Sequence, residues 1–396
     1  MPRWDSFASF LSEAQRTDSE TQRQALVDDL LTERREWPWV ERNRATFVLN
    51  KPGTERAALN LDTITTDPPF DPMTNLEGTT LWHVTHNFAS DDLLDYMLAV
   101  NDPMTPLAQE SNILTRVSQY WQADRLNPVQ MNTAQMPVSV LRMPYARPFP
   151  DWAAMKAVPH GRVYEHSLDS HQLGFQKRKL WVYTPVGYES SGQDYPLLIL
   201  EDGQWCIGPL QIPAIVDALI KHRRMQPVVI AMIQSAPPTE RAKELISNAR
   251  HYAFLLTELL PFVQTRYRVD STKLGTGGVA SGAIAAANAA LLNPAVFHAL
   301  IMISPPMGKG SNEEQLSKYP ERFASANLLP RRIFHSVGRY ETKSRFVRPA
   351  HALRDTLSAR SNLDYKFVEI ASGHGLVAFR SIFPEALAWA FPGEAR

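Results

Sequence analysis

Short apolar runs alternate with stretches of helix-forming composition from Gly161 to the end of the chain. The apolar runs are residues 178–183, 196–200, 227–232, 300–303, 332–336 and 366–370, and the clearest helical stretches are 253–263, 283–292 and 349–357. This alternation is typical of a mostly parallel sheet, because parallel neighbours need crossover connections and the crossover helices cover both faces. The pattern therefore predicts an α/β domain over residues 151–396.

The first 150 residues follow a different pattern. Their β-like runs, at 45–49, 80–85 and 94–100, are separated by turn residues such as the segment DPPFDPM. Short strands with turn-rich connections predict a small all-β sandwich, and the charged and apolar residues at the N-terminus predict an amphipathic helix before it. Residues 125–152 contain a proline every few positions, which fixes an extended path, so we expect them to connect the two domains.

The charge balance narrows the class of ligand. Lys and Arg total 41, as do Asp and Glu, so no net field draws the chain to nucleic acid or to an anionic membrane. We expect a small-molecule substrate, and the sequence leaves the oligomeric state open.

Cysteine and histidine usage limits redox and metal chemistry. Cys206 is the only cysteine, which excludes an intramolecular disulfide. The 11 histidines contain no H-E-x-x-H spacing, so we expect neither a metal site nor a cofactor. The N-terminus lacks the apolar core of a signal peptide, and no run reaches the roughly 18 apolar residues of a membrane span. The expected location is cytoplasmic.

The motif GVASG, from Gly278 to Gly282, follows a strand-like stretch and opens an alanine-rich helix. That setting is typical of the nucleophile elbow of α/β hydrolases, G-x-S-x-G. The turn strains the central residue, and side chains two positions away would collide with the neighbouring strand and helix, which explains both glycines. The central residue here is Ala280, which has no hydroxyl with which to attack a substrate.

Three interpretations of Ala280 are open. In the first, an engineered serine-to-alanine change holds an intact ester in an otherwise complete site. In the second, the protein is a natural pseudo-esterase that binds without cleaving. In the third, Ser281 is the nucleophile of a shifted motif, although its side chain would leave the elbow in another direction.

A hydrolase of this class needs an acid and a histidine later in the chain, in that order. His374 lies in ASGHG, directly after the strand-like run 366–370, and Glu341 lies in VGRYE, just past the run 332–336. The carboxyl ends of strands are where α/β sheets carry their chemistry. We therefore predict His374 as the general base and Glu341 as the carboxylate that orients it.

The developing oxyanion of an ester needs backbone N–H donors. One is predicted at Ser281, directly after the elbow, and another in the loop after the run 196–200, at Gly203 or Gln204. Loss of the nucleophile lowers turnover about a millionfold, or about 8 kcal/mol, so a chain with Ala280 is expected to be nearly inert.

Several motifs together resemble the enterochelin (enterobactin) esterase family, within the esterase-D-like branch of α/β hydrolases. The matching stretches are VYTPVGY (182–188), LEDGQW (200–205), TERAKELISNARHYAFLLTELLP (239–261), the elbow helix up to NPAVF, the closing GRYE and SGHG, and the N-terminal WVERNRATFVL, LEGTTLWHVT and ADRLNPV. The resemblance covers nearly the whole chain. It implies cytoplasmic hydrolysis of the ester bonds of a ferric catecholate siderophore, with iron present only as part of the substrate.

The resemblance also implies substrate-binding residues. Arg241, Glu244 and Asn248 match the family's R-x-x-E-L-x-x-N pattern, and the guanidinium of Arg241 could contact an anionic catecholate, with the other two as supports. Trp205 could stack on a catechol ring. The loop after the run 300–303 offers only Tyr319 and Phe323 as rings, which leaves another ester, a lactone or an acylated sugar open as the substrate.

Overall fold

The computed structural model describes residues 2–133, 136–148, 155 and 157–394. The chain forms two compact units. The first comprises Met1–Arg147 together with Ala371–Val377, and the second comprises Pro148–Ile370 together with Ala378–Arg396. The sequence pattern predicts one boundary near residue 150 and carries no signal for the short segment near the C-terminus that joins the first unit.

The first unit consists of short antiparallel strands and three α-helices among its described residues. Its helices are α1 (Phe7–Gln15), α2 (Glu20–Glu33) and α3 (Ile113–Tyr120), with a 3-10 turn at Leu107–Gln109. Its strands are β1 (Trp39–Glu41), β2 (Arg44–Asn50), β3 (Ala57–Leu61), β4 (Phe70–Pro72), β5 (Thr74–Asn75), β6 (Leu81–Asn87), β7 (Leu93–Val100), β8 (Trp121–Gln122), β9 (Gln130–Asn132) and β10 (Pro137–Arg142).

Two sheets pack against each other in this unit. One has the order β1-β2-β6-β5, and the other has the order β4-β3-β7-β10-β9 with β8 paired to β7. The ring of Phe47 on β2 lies 4.8 Å from that of Tyr96 on β7, and both side chains are buried. The predicted β-sandwich is therefore confirmed. The proline-rich stretch expected to connect the domains carries β9 and β10, and β10 lies between β7 and β9 in the sheet.

The second unit is built on a single eight-stranded sheet. Its strands are β11 (Arg162–Leu168), β12 (Arg178–Thr184), β13 (Tyr195–Leu200), β14 (Val229–Ile233), β15 (Val269–Val279), β16 (Phe297–Ile303), β17 (Arg332–Gly338) and β18 (Asp364–Ile370). Their order is β11-β12-β14-β13-β15-β16-β17-β18. The six strands from β13 to β18 are parallel to one another, whereas β12 is antiparallel to both of its neighbours, β11 and β14. This arrangement confirms the predicted α/β fold with its mostly parallel sheet.

Helices connect these strands. They are α4 (Tyr188–Ser191), α5 (Gly203–Ile207), α6 (Ile212–Lys221), α7 (Pro238–Leu245), α8 (Ala249–Phe254), α9 (Leu260–Gln264), α10 (Ser281–Leu292), α11 (Glu313–Leu316), α12 (Tyr319–Ser325), α13 (Arg348–Ser358) and α14 (Leu376–Ala390). The stretch expected as one helix at 253–263 contains a π-helical turn, Leu255–Leu259, between α8 and α9. Pro261 lies just after this turn. Proline has no N–H to donate within a helix, and the wider π-helical turn accommodates that missing hydrogen bond.

The direction of chain connection reverses between β13 and β15. From β13 the chain runs to β14 on one side, while β15 lies on the other side of β13. In α/β sheets such a switch point leaves a crevice at the carboxyl ends of the two strands. The loop Glu201–Asp202 and the elbow motif leave the sheet at these two ends.

Among the helices of the described ranges, none combines the length and the apolar character that crossing a bilayer requires.

Candidate active site

Ala280 occupies a strained turn between β15 and α10. Its backbone has φ 49° and ψ −120°, a region that side chains rarely adopt and that costs on the order of 1–3 kcal/mol. Its N–H donates to the carbonyl of Ile303 on the neighbouring strand at 2.9 Å, which holds the turn to the sheet. The residue is half-buried rather than enclosed. A side chain at position 280 thus stands at the end of a strand in the sharp geometry of a nucleophile elbow.

The two flanking glycines are required by close backbone contacts. A Cβ atom on Gly278 would lie 2.6 Å from the backbone carbon of Gly282, and one on Gly282 would lie 2.8 Å from Oδ2 of Asp202. Real Cβ atoms do not approach other atoms so closely, so larger residues would push the strand, the helix and the β13 loop apart. The elbow depends on glycine at both positions.

The two predicted sources of backbone N–H donors follow the ends of β13 and β15. These strands are neighbours in the sheet, and Leu200 on β13 is paired with Gly277 on β15. Ser281 is the first residue of α10 and Gly203 the first residue of α5, so the N–H groups of both precede the first intrahelical hydrogen bonds. A Cβ on Gly203 would lie 2.4 Å from the carbonyl oxygen of Met232, so the loop can follow this path only with glycine.

The side chain of Gln204 binds Ser235 through both atoms of its amide group. Its Nε2 donates to Oγ of Ser235 at 2.8 Å, and its Oε1 accepts the backbone N–H of Ser235 at 3.1 Å. The predicted oxyanion donor at Gln204 is therefore its backbone N–H, while Ser235 holds the side chain in place.

Arg241 forms a buried ion pair with Asp202 behind the elbow. Its Nε and Nη2 donate to the two carboxylate oxygens at 2.6 and 2.5 Å, and Nη2 also lies 3.3 Å from the carbonyl of Val279. Ser235 donates its hydroxyl to the same carboxylate at 2.7 Å. Asp202 itself is in the left-handed region with φ 57°. The guanidinium that the resemblance assigned to a substrate is thus already bound in a bidentate pair.

The indole of Trp205 packs beside this pair. The Arg241 guanidinium carbon lies 4.6 Å from the ring centroid, a distance typical of a cation–π contact. The ring is partly exposed. It is the aromatic side chain that α5 contributes next to the predicted oxyanion donors.

Glu244 and Asn248 support the backbone rather than line the elbow. Glu244 pairs with Arg178 at 2.7 Å and accepts the backbone N–H of Ala236 at 3.0 Å. Asn248 caps helix α8 by accepting the backbone N–H of Arg250 at 2.9 Å. The roles of Glu244 and Asn248 around a substrate stay predictions.

A second buried pair, Glu201 and His251, lies beneath the start of α10. Nε2 of His251 is 3.3 Å from Oε2 of Glu201, and a Cβ on Gly282 would lie 3.0 Å from the Cβ of Glu201. Burial alone would lower the pKa of His251, but the adjacent Glu201 carboxylate raises that pKa above its ordinary value. The neighbouring Cys206 is also buried, and burial raises the pKa of its thiol well above the usual range.

The predicted acid and base lie after β17 and β18. Glu341 is buried, and its N–H donates to the carbonyl of Gly338 at 3.2 Å, which closes a turn at the end of β17, two strands from β15 in the sheet order. His374 is exposed and belongs to the segment Ala371–Val377, which is part of the first unit. Their roles as base and orienting carboxylate stay predictions.

Asp202, Ser235, Glu201 and His251 were not identified from the sequence. One sequence signal pointed to them: Glu201 and Asp202 directly follow an apolar strand and precede a glycine. Both carboxylates are buried at this position, and buried carboxylates need hydrogen-bond or ion-pair partners. Within the described parts of the chain, no cluster of three or more His, Cys, Asp and Glu side chains could hold a metal ion.

Comparison with known proteins places this site in a family. Residues 170–390, which include the elbow and both predicted partners, match the model of the Esterase family, described as "Putative esterase". A segment of 143 residues is 30% identical to the iron(III) enterobactin esterase of Escherichia coli O6:H1. That segment covers 36% of this chain and 35% of the relative, so the match spans about a third of the relative's length.

Solved structures share the fold over a longer range. The ferric enterobactin esterase of Salmonella typhimurium superposes with a TM-score of 0.77 over 92% of this chain and 98% of its own, at 19% identity. The enterobactin esterase FES of Shigella flexneri, crystallised in the presence of enterobactin, gives 0.73 over 88% and 92%, at 20% identity. Identities this low show a common fold, whereas the family model covers more than half of the chain. The chain therefore belongs to the Esterase family.

Proposed function

We propose that this chain is a serine-type carboxylic ester hydrolase in which the nucleophile has been replaced, so that it binds its ester substrate and barely cleaves it. The observation that carries the proposal is the backbone of Ala280, which keeps the strained φ 49° and ψ −120° of an elbow although it has no hydroxyl to present. Gly278 and Gly282 maintain the contacts that this turn requires.

With a serine at position 280, the reaction would follow the acyl-transfer sequence of this class. The hydroxyl attacks the ester carbonyl while His374 takes its proton, and Glu341 stabilises the resulting imidazolium. The N–H groups of Ser281 and of Gly203 or Gln204 stabilise the oxyanion. The alcohol leaves with the proton from His374, and water then releases the acid from the acyl-enzyme.

The proposed substrate is a ferric catecholate siderophore of the enterobactin type, whose ester hydrolysis lets iron be released. Support comes from the resemblance of the motifs and from the similarity to enterobactin esterases. Trp205 offers a partly exposed ring beside the predicted oxyanion donors for stacking on a catechol. A cytoplasmic location is part of the same proposal.

A second substrate class is favoured by one observation. The rings of the loop after β16, Tyr319 and Phe323, are both fully buried, and the Tyr319 hydroxyl lies 3.0 Å from Oγ of Ser247. Neither ring can stack on a catechol from this loop. An ester, lactone or acylated sugar without catechol groups would not need them.

The test is the variant Ala280→Ser, assayed with p-nitrophenyl esters, an acetylated sugar and ferric enterobactin. We expect it to gain about a millionfold in kcat over the original chain. If hydrolysis of every ester stays at the level of the alanine form, the hydrolase proposal is wrong. The ratio of kcat/KM between ferric enterobactin and the acetylated sugar decides between the two substrate classes.

Two further variants in the Ala280→Ser background assign the remaining roles. His374→Ala should remove nearly all of the gained activity, whereas Ser281→Ala, which keeps the backbone N–H, should leave it within a few-fold. Activity that survives His374→Ala would mean that the base has been misassigned. Activity of the original chain that disappears with Ser281→Ala would instead support the shifted motif.

A further inference from the structure

The segment that carries His374 is held by the β-sandwich of the first unit. The carbonyl of Ala371 accepts the backbone N–H of Leu93, the first residue of β7, at 2.9 Å. Strand β7 pairs with β3, β8 and β10, and most of its side chains are buried. The segment is therefore hydrogen-bonded at its first residue to a strand that is itself paired with three others.

Two carboxylates lie against the two glycines that flank His374. A Cβ atom on Gly373 would lie 2.1 Å from Oδ2, 2.4 Å from Cγ and 2.5 Å from Cβ of Asp62. A Cβ atom on Gly375 would lie 2.9 Å from Oδ2 of Asp95. Glycine at both positions allows the carboxylates to pack directly against the backbone on either side of the histidine.

The positions of these carboxylates follow from the strand register. Asp62 directly follows Leu61, the last residue of β3, which is paired with Tyr96 on β7, and Asp95 directly precedes Tyr96. Asp62 therefore lies in the turn after β3, next to the part of β7 that carries Asp95. Asp95 is also paired with Val140 on β10, which fixes its backbone on the other side.

We infer that Asp62 and Asp95 are positioning residues for His374, and that the β-sandwich unit serves catalysis by holding the base loop in place. This inference rests on the proposed function, because it takes His374 to be the base. It assigns to the accessory unit a role in the chemical step rather than in substrate recognition alone. A displacement of a catalytic group by about 1 Å can cost about 100-fold in rate.

The first test is Gly373→Ala in the Ala280→Ser background. The new methyl cannot coexist with Asp62, so the loop has to move. We expect kcat to fall about 100-fold and KM for a p-nitrophenyl ester to stay within twofold, because substrate binding is not affected. Asp62→Ala alone should also lower kcat, about tenfold, with KM unchanged. Adding it to Gly373→Ala should lower kcat little further, because both changes displace the same loop, whereas the losses at two independent sites would multiply.

Gly53→Ala is the control for a glycine substitution that strains the backbone of the same unit without a clash, since Gly53 has φ 72° and a Cβ there would meet nothing within 4 Å. It should leave kcat unchanged. A kcat for Gly373→Ala within threefold of its parent, an unchanged kcat for Asp62→Ala, or a double variant whose loss equals the product of the two single losses would overturn the inference.

Amide hydrogen exchange of a peptide covering residues 371–377 tests the same inference without activity. In the original Ala280 chain, Gly373→Ala should accelerate exchange of this peptide at least tenfold, and Asp62→Ala, which removes the carboxylate but keeps Gly373, should accelerate it as well. Unchanged exchange in Gly373→Ala would contradict the inference. Failure of the proposed function would appear differently, as an inert Ala280→Ser variant with the exchange results intact.

Discussion

Replacing Arg241 with methionine separates a structural role for this residue from a role in substrate binding. Methionine keeps much of the side-chain volume and removes both charged hydrogen bonds to Asp202, at 2.6 and 2.5 Å. The Asp202 side chain is 1% exposed and that of Arg241 is 13% exposed, so solvent cannot replace the lost partner. The Ser235 hydroxyl remains as a donor to the carboxylate.

The size of the effect follows from the burial of this pair. Removing one partner of a buried ion pair leaves an uncompensated charge, which typically costs about 3–5 kcal/mol of unfolding free energy. Because Ser235 still donates one hydrogen bond, we expect a value near the lower end, about 3 kcal/mol. The double variant Arg241→Met/Asp202→Asn removes the stranded charge and should recover about 1–2 kcal/mol of that loss.

The assay is urea unfolding followed by far-UV circular dichroism, fitted with one transition for each unit because the chain has two. Arg354→Met is the control. Its pair with Asp355 is exposed, at 39% and 69%, and such pairs contribute about 0–1 kcal/mol. If Arg241→Met costs no more than Arg354→Met, the buried pair is not structural and Arg241 is available to a substrate after all.

Two other properties follow from the packing of the second unit. Gly282→Ala should lower the free energy of unfolding by about 1–3 kcal/mol, because the new methyl group overpacks against Asp202 and Glu201. The loss should appear as a lower midpoint in a thermal scan. An unchanged midpoint would show that the elbow helix can shift freely. Burial, and secondarily the charge of His351, lowers the pKa of His335 to about 3, so below pH 6.5 the unfolded chain binds a proton that the folded chain does not. The free energy of unfolding should therefore fall as the pH drops from 6.5 towards 3, by about 3 kcal/mol at pH 4.5. In urea titrations, His335→Phe should remove this part of the pH dependence. An equal pH dependence in the variant would contradict the argument.

The parts of the site that depend on local sequence were predictable. Gly278, Ala280 and Gly282 follow each other within five residues, and the turn geometry is set by the steric demands of that short segment. The alternation of apolar runs and helices likewise fixed the class of the second unit. Such patterns are local, so they are visible before any tertiary contact is known.

The contacts between distant residues were not predictable. Arg241 and Asp202 are 39 positions apart, and only the folded sheet shows that the guanidinium is bound by a carboxylate. The same holds for β10, which lies in a proline-rich stretch but pairs with β7 because the sheet offers it two neighbours. The attachment of residues 371–377 to the first unit has no counterpart in the sequence pattern at all.

The alanine at the elbow also affects how residual activity has to be measured. Every alanine codon differs by a single base from one of the serine codons, so a gene for this chain lies one point mutation from a gene with a hydroxyl at position 280. Occasional misreading during protein synthesis gives a small fraction of molecules with serine there, and each of those would turn over about a millionfold faster than its neighbours. The activity measured for a preparation of the alanine form would then reflect its small serine-containing fraction. Treatment with an active-site-directed fluorophosphonate, which inactivates the serine-containing molecules, would have to precede the assay.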